Sequence, residues 1–304
     1  MLPRIVSGRG IENMEKLLVT VLTPTYNRIH TLPRLYDSLC SQKEKNFIWY
    51  VIDDGSKDGT EEYIKSLQQD APFAIKYTKK KNGGKHTALN IGFKIVNTPL
   101  LFIVDSDDRI TNDAISTINA DYKLIKGGDF CGLVYYRVGI GNGRGIEGRR
   151  NYNDLRYKDR VRGDLAEVWK TEYLRKYRFP EYPGEKFIGE ACVWSKMSEK
   201  YDVYVRDKAI YMCEYLEGGL SKSGRTMRIK NPMGGMAHAS VFLKKRYPVD
   251  IRIKNAMLYI CYGFFADRKI KEIILKSNSK ALVAAVFPAG FMLYLYWRKK
   301  YGGK

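Results

Sequence analysis

Residues 99–108 read P-L-L-F-I-V-D-S-D-D, an apolar run from Leu100 to Val104 that ends in three carboxylates, Asp105, Asp107 and Asp108. A short run rich in β-branched and aromatic side chains fits a strand buried on both faces of a sheet, so the acids sit where the chain leaves that sheet. Open α/β sheets bind ligands at the carboxyl ends of their strands. Carboxylates crowded there repel one another, and a hard divalent cation, which takes oxygen ligands and often phosphates, relieves the repulsion. The stretch predicts a metal-bridged phosphate ligand. A plainer reading stays open beside it, in which the acids cap a helix starting near Thr111.

Upstream, apolar runs alternate with helical periodicity. Residues 17–25 (L-L-V-T-V-L-T-P-T) predict a strand closed by Pro24, and residues 27–42 a helix with Leu32, Leu35 and Leu39 on one face. Residues 47–52 predict a second strand, delivering Asp53 and Asp54 into a D-D-G-S turn. A helix over 60–67, a strand over 75–78 and a helix over 86–96 follow, the last after Asn82-Gly83-Gly84-Lys85. Such alternation gives a mostly parallel α/β sheet flanked by helices and wound by right-handed crossovers. No G-x-G-x-x-G follows the first strand and no G-x-x-x-x-G-K-[ST] occurs, which excludes a dinucleotide fingerprint and a P-loop. Downstream, residues 132–138 predict a strand and 139–150 a loop rich in glycine and arginine. A helix over 163–177 opened by Asp164, a helix over 190–200 and short strands over 203–206 and 209–215 complete this part.

The 304 residues suit one catalytic domain plus an appendage. Five cysteines, odd in number and without a C-x-x-C pair, point to reduced thiols in the cytoplasm and away from a disulfide framework or a zinc site. Residues 1–13, before a second methionine at Met14, predict a disordered leader, and no secretory signal is expected. The net charge of +20 is concentrated at one end, because residues 221–304 hold 18 Lys and Arg against 3 Asp and Glu. Apolar segments interleave with these charges, which favours an anionic membrane surface over nucleic acid. Residues 281–297 carry no charge between Lys280 and the Arg298 to Lys300 cluster. As a straight helix they would reach about 26 Å against roughly 30 Å of hydrocarbon, with Pro288 and Gly290 kinking the middle. An in-plane or re-entrant helix with Tyr294, Tyr296 and Trp297 at headgroup depth is expected. Residues 251–265 form a second apolar stretch, either another membrane segment or a helix packed on the catalytic domain.

Five blocks now stand in order: T-P-T-Y-N-R (23–28), V-I-D-D-G-S-K-D-G-T (51–60), N-G-G-K-H-T-A-L-N (82–90), V-D-S-D-D (104–108) and E-Y-L-E-G-G-L-S (214–221). On these blocks the chain resembles the GT-A glycosyltransferases of family 2, bacterial enzymes that build surface polysaccharides, over residues 17–221. The resemblance implies a GT-A catalytic domain over 14–221 and a basic, helical, membrane-associating region over 222–304. It implies a donor site formed by Thr23, Pro24, Thr25, Tyr26, Asn27, Asp53, Asn82, Lys85, Asp105 and Ser106. Within it, Asp53 accepts a hydrogen bond from a uridine-type base, Asp105 contacts the ribose or donor sugar, and Asp107 binds the Mg2+ or Mn2+ that bridges the diphosphate. Asp54 is read as shaping the turn with Gly55 and Ser56, and Lys85 either approaches the nucleotide or is a solvated loop lysine.

Transfer needs a base for the acceptor hydroxyl. In the family this residue lies in an E-D pair. The matching position here is Glu190, followed by Ala191 instead of Asp, and Glu185 is the runner-up. Asp164 and Glu167 either orient the acceptor or merely open and solvate their helix. The Q-x-x-R-W of processive synthases is missing, which favours transfer of a single sugar. The implied activity is metal-dependent, inverting transfer from a nucleotide diphosphate sugar, of UDP type, to a lipid-linked saccharide in capsule, exopolysaccharide or cell-wall glycan synthesis. It would run at the cytoplasmic face of the membrane, with the protein peripheral or monotopic and no nucleic-acid partner. Two rivals remain. A sugar nucleotidyltransferase needs a glycine-rich triphosphate loop where this chain has T-P-T-Y-N-R. A basic nucleic-acid-binding protein needs basic and aromatic side chains on one exposed face.

Overall fold

The computed structural model describes residues 17–139, 145–213 and 220–301. The expected leader, residues 140–144 of the glycine- and arginine-rich loop and most of the E-Y-L-E-G-G-L-S block lie outside the described residues. Among the described residues nine strands form one sheet: β1 Val19–Thr25, β2 Phe47–Asp53, β3 Ala74–Lys79, β4 Leu100–Ile103, β5 Arg109–Ile110, β6 Phe130–Arg137, β7 Gly148–Arg150, β8 Ala166–Lys170 and β9 Asp202–Met212. Their order is β3-β2-β1-β4-β8-β6-β9-β5, with β7 paired to β9. The pairs β1–β2, β1–β4, β2–β3 and β6–β9 are parallel, while β8 is antiparallel to both β4 and β6.

Helices cover both faces, as the apolar runs require. On one face Leu22, Ile52, Leu101 and Trp169 pack with Leu89 and Phe93 of α3 (Lys85–Ile95) and Cys192 and Trp194 of α7 (Ala191–Met197). On the other, Val21, Val51, Phe102 and Tyr135 pack with Leu32, Leu35 and Leu39 of α1 (Leu32–Cys40) and Ile115 and Ile118 of α4 (Ala114–Asp121). The remaining helices of this part are α2 (Thr60–Leu67), α5 (Tyr152–Tyr157) and α6 (Thr171–Lys176). The expected helix over 27–42 begins only at Leu32: Asn27 takes a left-handed φ of 52°, residues 29–31 form a turn, and Pro33 sits in the first helical turn.

The expected helix over 163–177 is corrected: its first half is strand β8. Ala166 and Val168 bury toward the α1 and α4 face and Trp169 toward the α3 face, the alternation of a strand held between two layers. Asp164 therefore lies in an exposed loop ahead of a strand and opens no helix. The two strands expected over 203–215 are one strand, β9, carrying a register shift opposite Val134 to Tyr136.

The C-terminal part is helical: α8 Leu220–Lys230, α9 Pro232–Val241, α10 Val249–Phe265, α11 Ile270–Leu275, α12 Lys280–Ala285 and α13 Phe287–Tyr301. It has its own apolar cluster, in which Ala256, Tyr259 and Ile260 of α10 meet Met236, Val283 and Trp297. Residues 251–265 are thus a packed helix. The uncharged stretch 281–297 breaks at Val286, and Pro288 falls in the first turn of α13, where its missing N–H costs nothing. Among the described residues no helix is long and apolar enough to cross a membrane.

Candidate active site

The loops that leave β1 and β2 are laced together. Asn27 N–H donates to Ser56 Oγ at 2.8 Å, Lys57 N–H to Asn27 Oδ1 at 2.9 Å, and Ile29 N–H to Asp58 Oδ2 at 3.0 Å. Asp53 is fully buried, with Ser56 N–H donating to Oδ1 at 2.8 Å and Tyr77 OH to Oδ2 at 2.6 Å. Both Asp53 carboxylate oxygens thus have partners within the fold. Thr23 is buried and its hydroxyl accepts from Trp49 Nε1 at 3.0 Å. Pro24, Thr25 and Ser106 are buried as well, whereas Tyr26 and Asn27 stand exposed at the rim.

Asp54, read from the sequence as shaping its own turn, instead organises the next loop. Its carboxylate accepts from Lys80 Nζ at 2.5 Å, Gly83 N–H at 2.8 Å, Gly84 N–H at 2.7 Å and Asn82 Nδ2 at 3.1 Å. Gly84, at φ 94°, packs so closely on the loop before α7 that a Cβ would lie 1.9 Å from Lys186 O. This loop delivers Lys85 as the first residue of α3. Its Nζ lies 2.6 Å from Asp105 Oδ1 and 2.7 Å from Glu190 Oε1, each side chain about one-third exposed. Burial disfavours the lysine's charge, but Asp105 and Glu190 outweigh it and raise its pKa. Burial likewise pushes the Asp105 carboxyl up, but Lys85, Arg137 and Arg28 hold it below its usual range. The solvated-lysine reading of Lys85 does not fit these contacts.

Asp105, Asp107 and Asp108 each present an oxygen within 4.8 Å of the others, a hard donor set suited to Mg2+ or Mn2+. The capping alternative fails, since α4 starts only at Ala114 and is preceded by Asp113. Arg28 approaches Asp107 Oδ2 at 3.7 Å, and Arg34 Nη2 donates to the Asp107 carbonyl at 2.6 Å. Burial and the neighbouring Asp105 push the Asp108 carboxyl up to about 6, although Tyr211 OH donates to it at 2.8 Å.

The two candidate bases have different surroundings. Glu190 precedes α7 and faces Lys85. Glu185 accepts the Met233 and Gly234 N–H groups, both at 2.7 Å, at the start of α9, so its carboxylate is taken up in capping a helix. Two further residues reach this end of the sheet, one of which, Arg137, the motifs passed over. Arg137, closing β6, donates through Nε to Leu165 O at 3.0 Å, lies 3.6 Å from Asp108 and stacks 4.2 Å over the Tyr211 ring. An arginine ending an apolar strand parallel to β4 was the available signal. The other is Glu167, on β8.

Residues 20–172, half of the chain, match Glycosyl transferase family 2. The chain belongs to that family. As a family 2 glycosyltransferase it is an enzyme, which sets aside the nucleotidyltransferase and the non-enzymatic readings. It is 26% identical over 198 residues to the GalNAc(5)-diNAcBac-PP-undecaprenol beta-1,3-glucosyltransferase of Campylobacter jejuni, covering 62% of each chain. Matches to four other curated glycosyltransferases, from Rickettsia species and Streptococcus pneumoniae, cover only 13 to 16% of those proteins. Two solved structures share the fold. One is S. aureus TarS 1-349 in complex with UDP-GlcNAc, at TM-score 0.60 and 21% identity, covering 84% of this chain and 77% of that one. The other is the mannosyltransferase PcManGT from Pyrobaculum calidifontis in complex with GDP-Man and Mn2+, at TM-score 0.56 and 18% identity, covering 93% and 83%. The family 2 enzyme therefore has a GT-A-like α/β fold.

Proposed function

We propose that this family 2 glycosyltransferase moves a single sugar, with inversion, from a UDP-sugar to a lipid-linked saccharide acceptor in surface polysaccharide synthesis, with the aid of Mn2+ or Mg2+. The observation that carries this reading is Lys85, which joins Asp105, a member of the carboxylate cluster, to Glu190 at the start of α7. Asp107, with Asp105 and Asp108, would hold the cation, and when bound it offsets the charge of the departing diphosphate. Glu190 takes the proton of the acceptor hydroxyl as that oxygen attacks the anomeric carbon. The bond to the diphosphate breaks on the opposite face, and the nucleoside diphosphate leaves. Lys85 keeps Glu190 aimed at the cleft and adds positive charge beside the donor. Tyr26, Asn27 and Asn82 line the donor side with Asp53 behind them, and Asp164 stands on the acceptor side.

Support for the acceptor class comes from the Campylobacter relative, whose name specifies an undecaprenol-linked saccharide. Support for the donor class comes from TarS bound to UDP-GlcNAc, and for the metal from PcManGT bound to GDP-Man and Mn2+. We further assign residues 14–221 to catalysis and 222–304 to peripheral or monotopic attachment at the cytoplasmic, anionic face of the membrane. The outer side of α13 supports that assignment: Met292, Leu295 and Tyr296 are 63%, 40% and 56% exposed beside Arg298, Lys299 and Lys300. Exposed apolar side chains next to basic ones suit an anionic bilayer. A screen of nucleotide sugars for Mn2+-dependent hydrolysis or transfer tests the reading. Turnover of a UDP-sugar is expected, and turnover of none overturns it.

A further inference from the structure

Glu167 has no part in the chemistry above, yet the fold brings it to the same side of the sheet. On β8 it pairs with Val134 of β6, and continuing the β4–β8 register sets it across from Ile103, two residues before Asp105. Directly paired residues share a face. Val134 packs with Leu89 of α3 and Cys192 of α7, the two helices whose starts carry Lys85 and Glu190. Glu167 Oε1 accepts the hydroxyl of Tyr152, on α5, at 2.6 Å. Among the described residues, Oε2 has no hydrogen-bond partner. Ala191, the residue after Glu190, offers the acceptor side no second carboxylate from α7.

Building on the transferase reading, we propose that Glu167 is a second carboxylate of the acceptor site, whose Oε2 accepts a hydrogen bond from an acceptor sugar hydroxyl and holds it toward Glu190. The side chain is suited to this because its charge is conditional. Burial pushes its carboxyl up to about 7, with the charge of Glu190 adding to the rise. The Tyr152 hydrogen bond, Arg137 of β6 and Arg156 of α5 act the other way. Near neutrality Glu167 therefore passes between a form that can only accept hydrogen bonds and one that also donates.

The test is Glu167→Gln, which keeps the shape and an oxygen for Tyr152 while removing the charge. With a UDP-sugar donor and p-nitrophenyl glycosides as acceptors, the acceptor KM should rise about ten- to a hundredfold, the loss of one hydrogen bond to a charged group. Binding of UDP with Mn2+, followed by calorimetry, should stay as in the wild type. Wild-type kcat/KM for the acceptor should fall as pH drops through about 7, and the variant should lack that limb. A variant with the wild-type acceptor KM and the same pH limb overturns the proposal. Should that variant fail to fold, Glu167→Asp decides in its place: it keeps the charge and draws the carboxylate back by one methylene, so a raised acceptor KM with UDP binding kept supports the role and a wild-type acceptor KM overturns it. A wild type that binds UDP with Mn2+ and transfers sugar to none of the acceptors overturns the transferase reading and this proposal with it.

Discussion

Asp54→Ala should unfold the site from behind without touching a ligand. Asp54 is 3% exposed and is the shared acceptor for Lys80 Nζ, the Asn82 amide and the main-chain N–H groups of Gly83 and Gly84. Alanine strands two main-chain donors and leaves the Lys80 ammonium, 15% exposed, without its partner. A stranded buried donor costs about 1–3 kcal/mol, and breaking a buried ion pair from one side about 3–5 kcal/mol. These penalties overlap, so the expected net loss is about 3–5 kcal/mol. At roughly 2–4 °C per kcal/mol the unfolding midpoint should fall by about 6–20 °C. Asp54→Asn should recover only part of this, because its NH2 group faces donors. Since Lys85 follows Gly84 directly, UDP binding with Mn2+ should weaken in both variants. Thermal unfolding followed by circular dichroism, with and without UDP and Mn2+, measures both effects. An alanine variant melting within 2 °C of the wild type would show that this carboxylate does not hold the loop.

Four further outcomes are expected. Asp107→Ala should lose Mn2+-dependent UDP binding with little loss of stability, because its carboxylate, 27% exposed, has only a long ion pair of 3.7 Å to the equally exposed Arg28; unchanged affinity by calorimetry removes it from the metal site. Glu190→Gln should slow transfer by about 10²- to 10⁴-fold with donor affinity kept, and near wild-type turnover would move the base elsewhere. Burial, with Arg228 and Lys254 adding, lowers the His238 pKa to about 4, below its unfolded value near 6.5. The unfolded chain then takes the proton first, so up to about 3 kcal/mol of stability is lost as pH falls from about 6.5 to 4. Urea unfolding of His238→Gln should lack that part of the slope. Finally, Met292→Glu with Leu295→Glu should reduce cosedimentation with phosphatidylserine vesicles without lowering the melting temperature, since both side chains point outward; undiminished binding counts against α13 as the docking face.

What could be read without coordinates was whatever is encoded locally. The run from Leu100 to Val104 is apolar on both sides because β4 lies between two layers, and its acids follow wherever the strand ends. β8 was illegible for the converse reason. A-E-V-W-K runs directly into T-E-Y-L-R-K, which does form α6, and only the distant partners β4 and β6 pull the first half into the sheet. Glu185 and Glu190 looked alike for the same cause, as the N–H groups that occupy Glu185 lie 48 and 49 residues further along. Asp54 was misread by one loop, since its carboxylate's donors come from 80–84 and not from its own turn.

The tie between Glu185 and α9 bears on how such enzymes can be recombined. Beyond the two carboxylate contacts, Lys186 N–H donates to Asn231 Oδ1 at 2.6 Å, and a Cβ on Gly234 would meet Phe187 O at 2.4 Å. The loop that presents Glu190 is thus moulded on residues usually counted with the tail. A chimera joined at residue 221, with foreign C-terminal helices, would inherit one half of this clasp and lose the other. Segments 184–190 and 231–234 have to be exchanged together, as though they were neighbours in the gene.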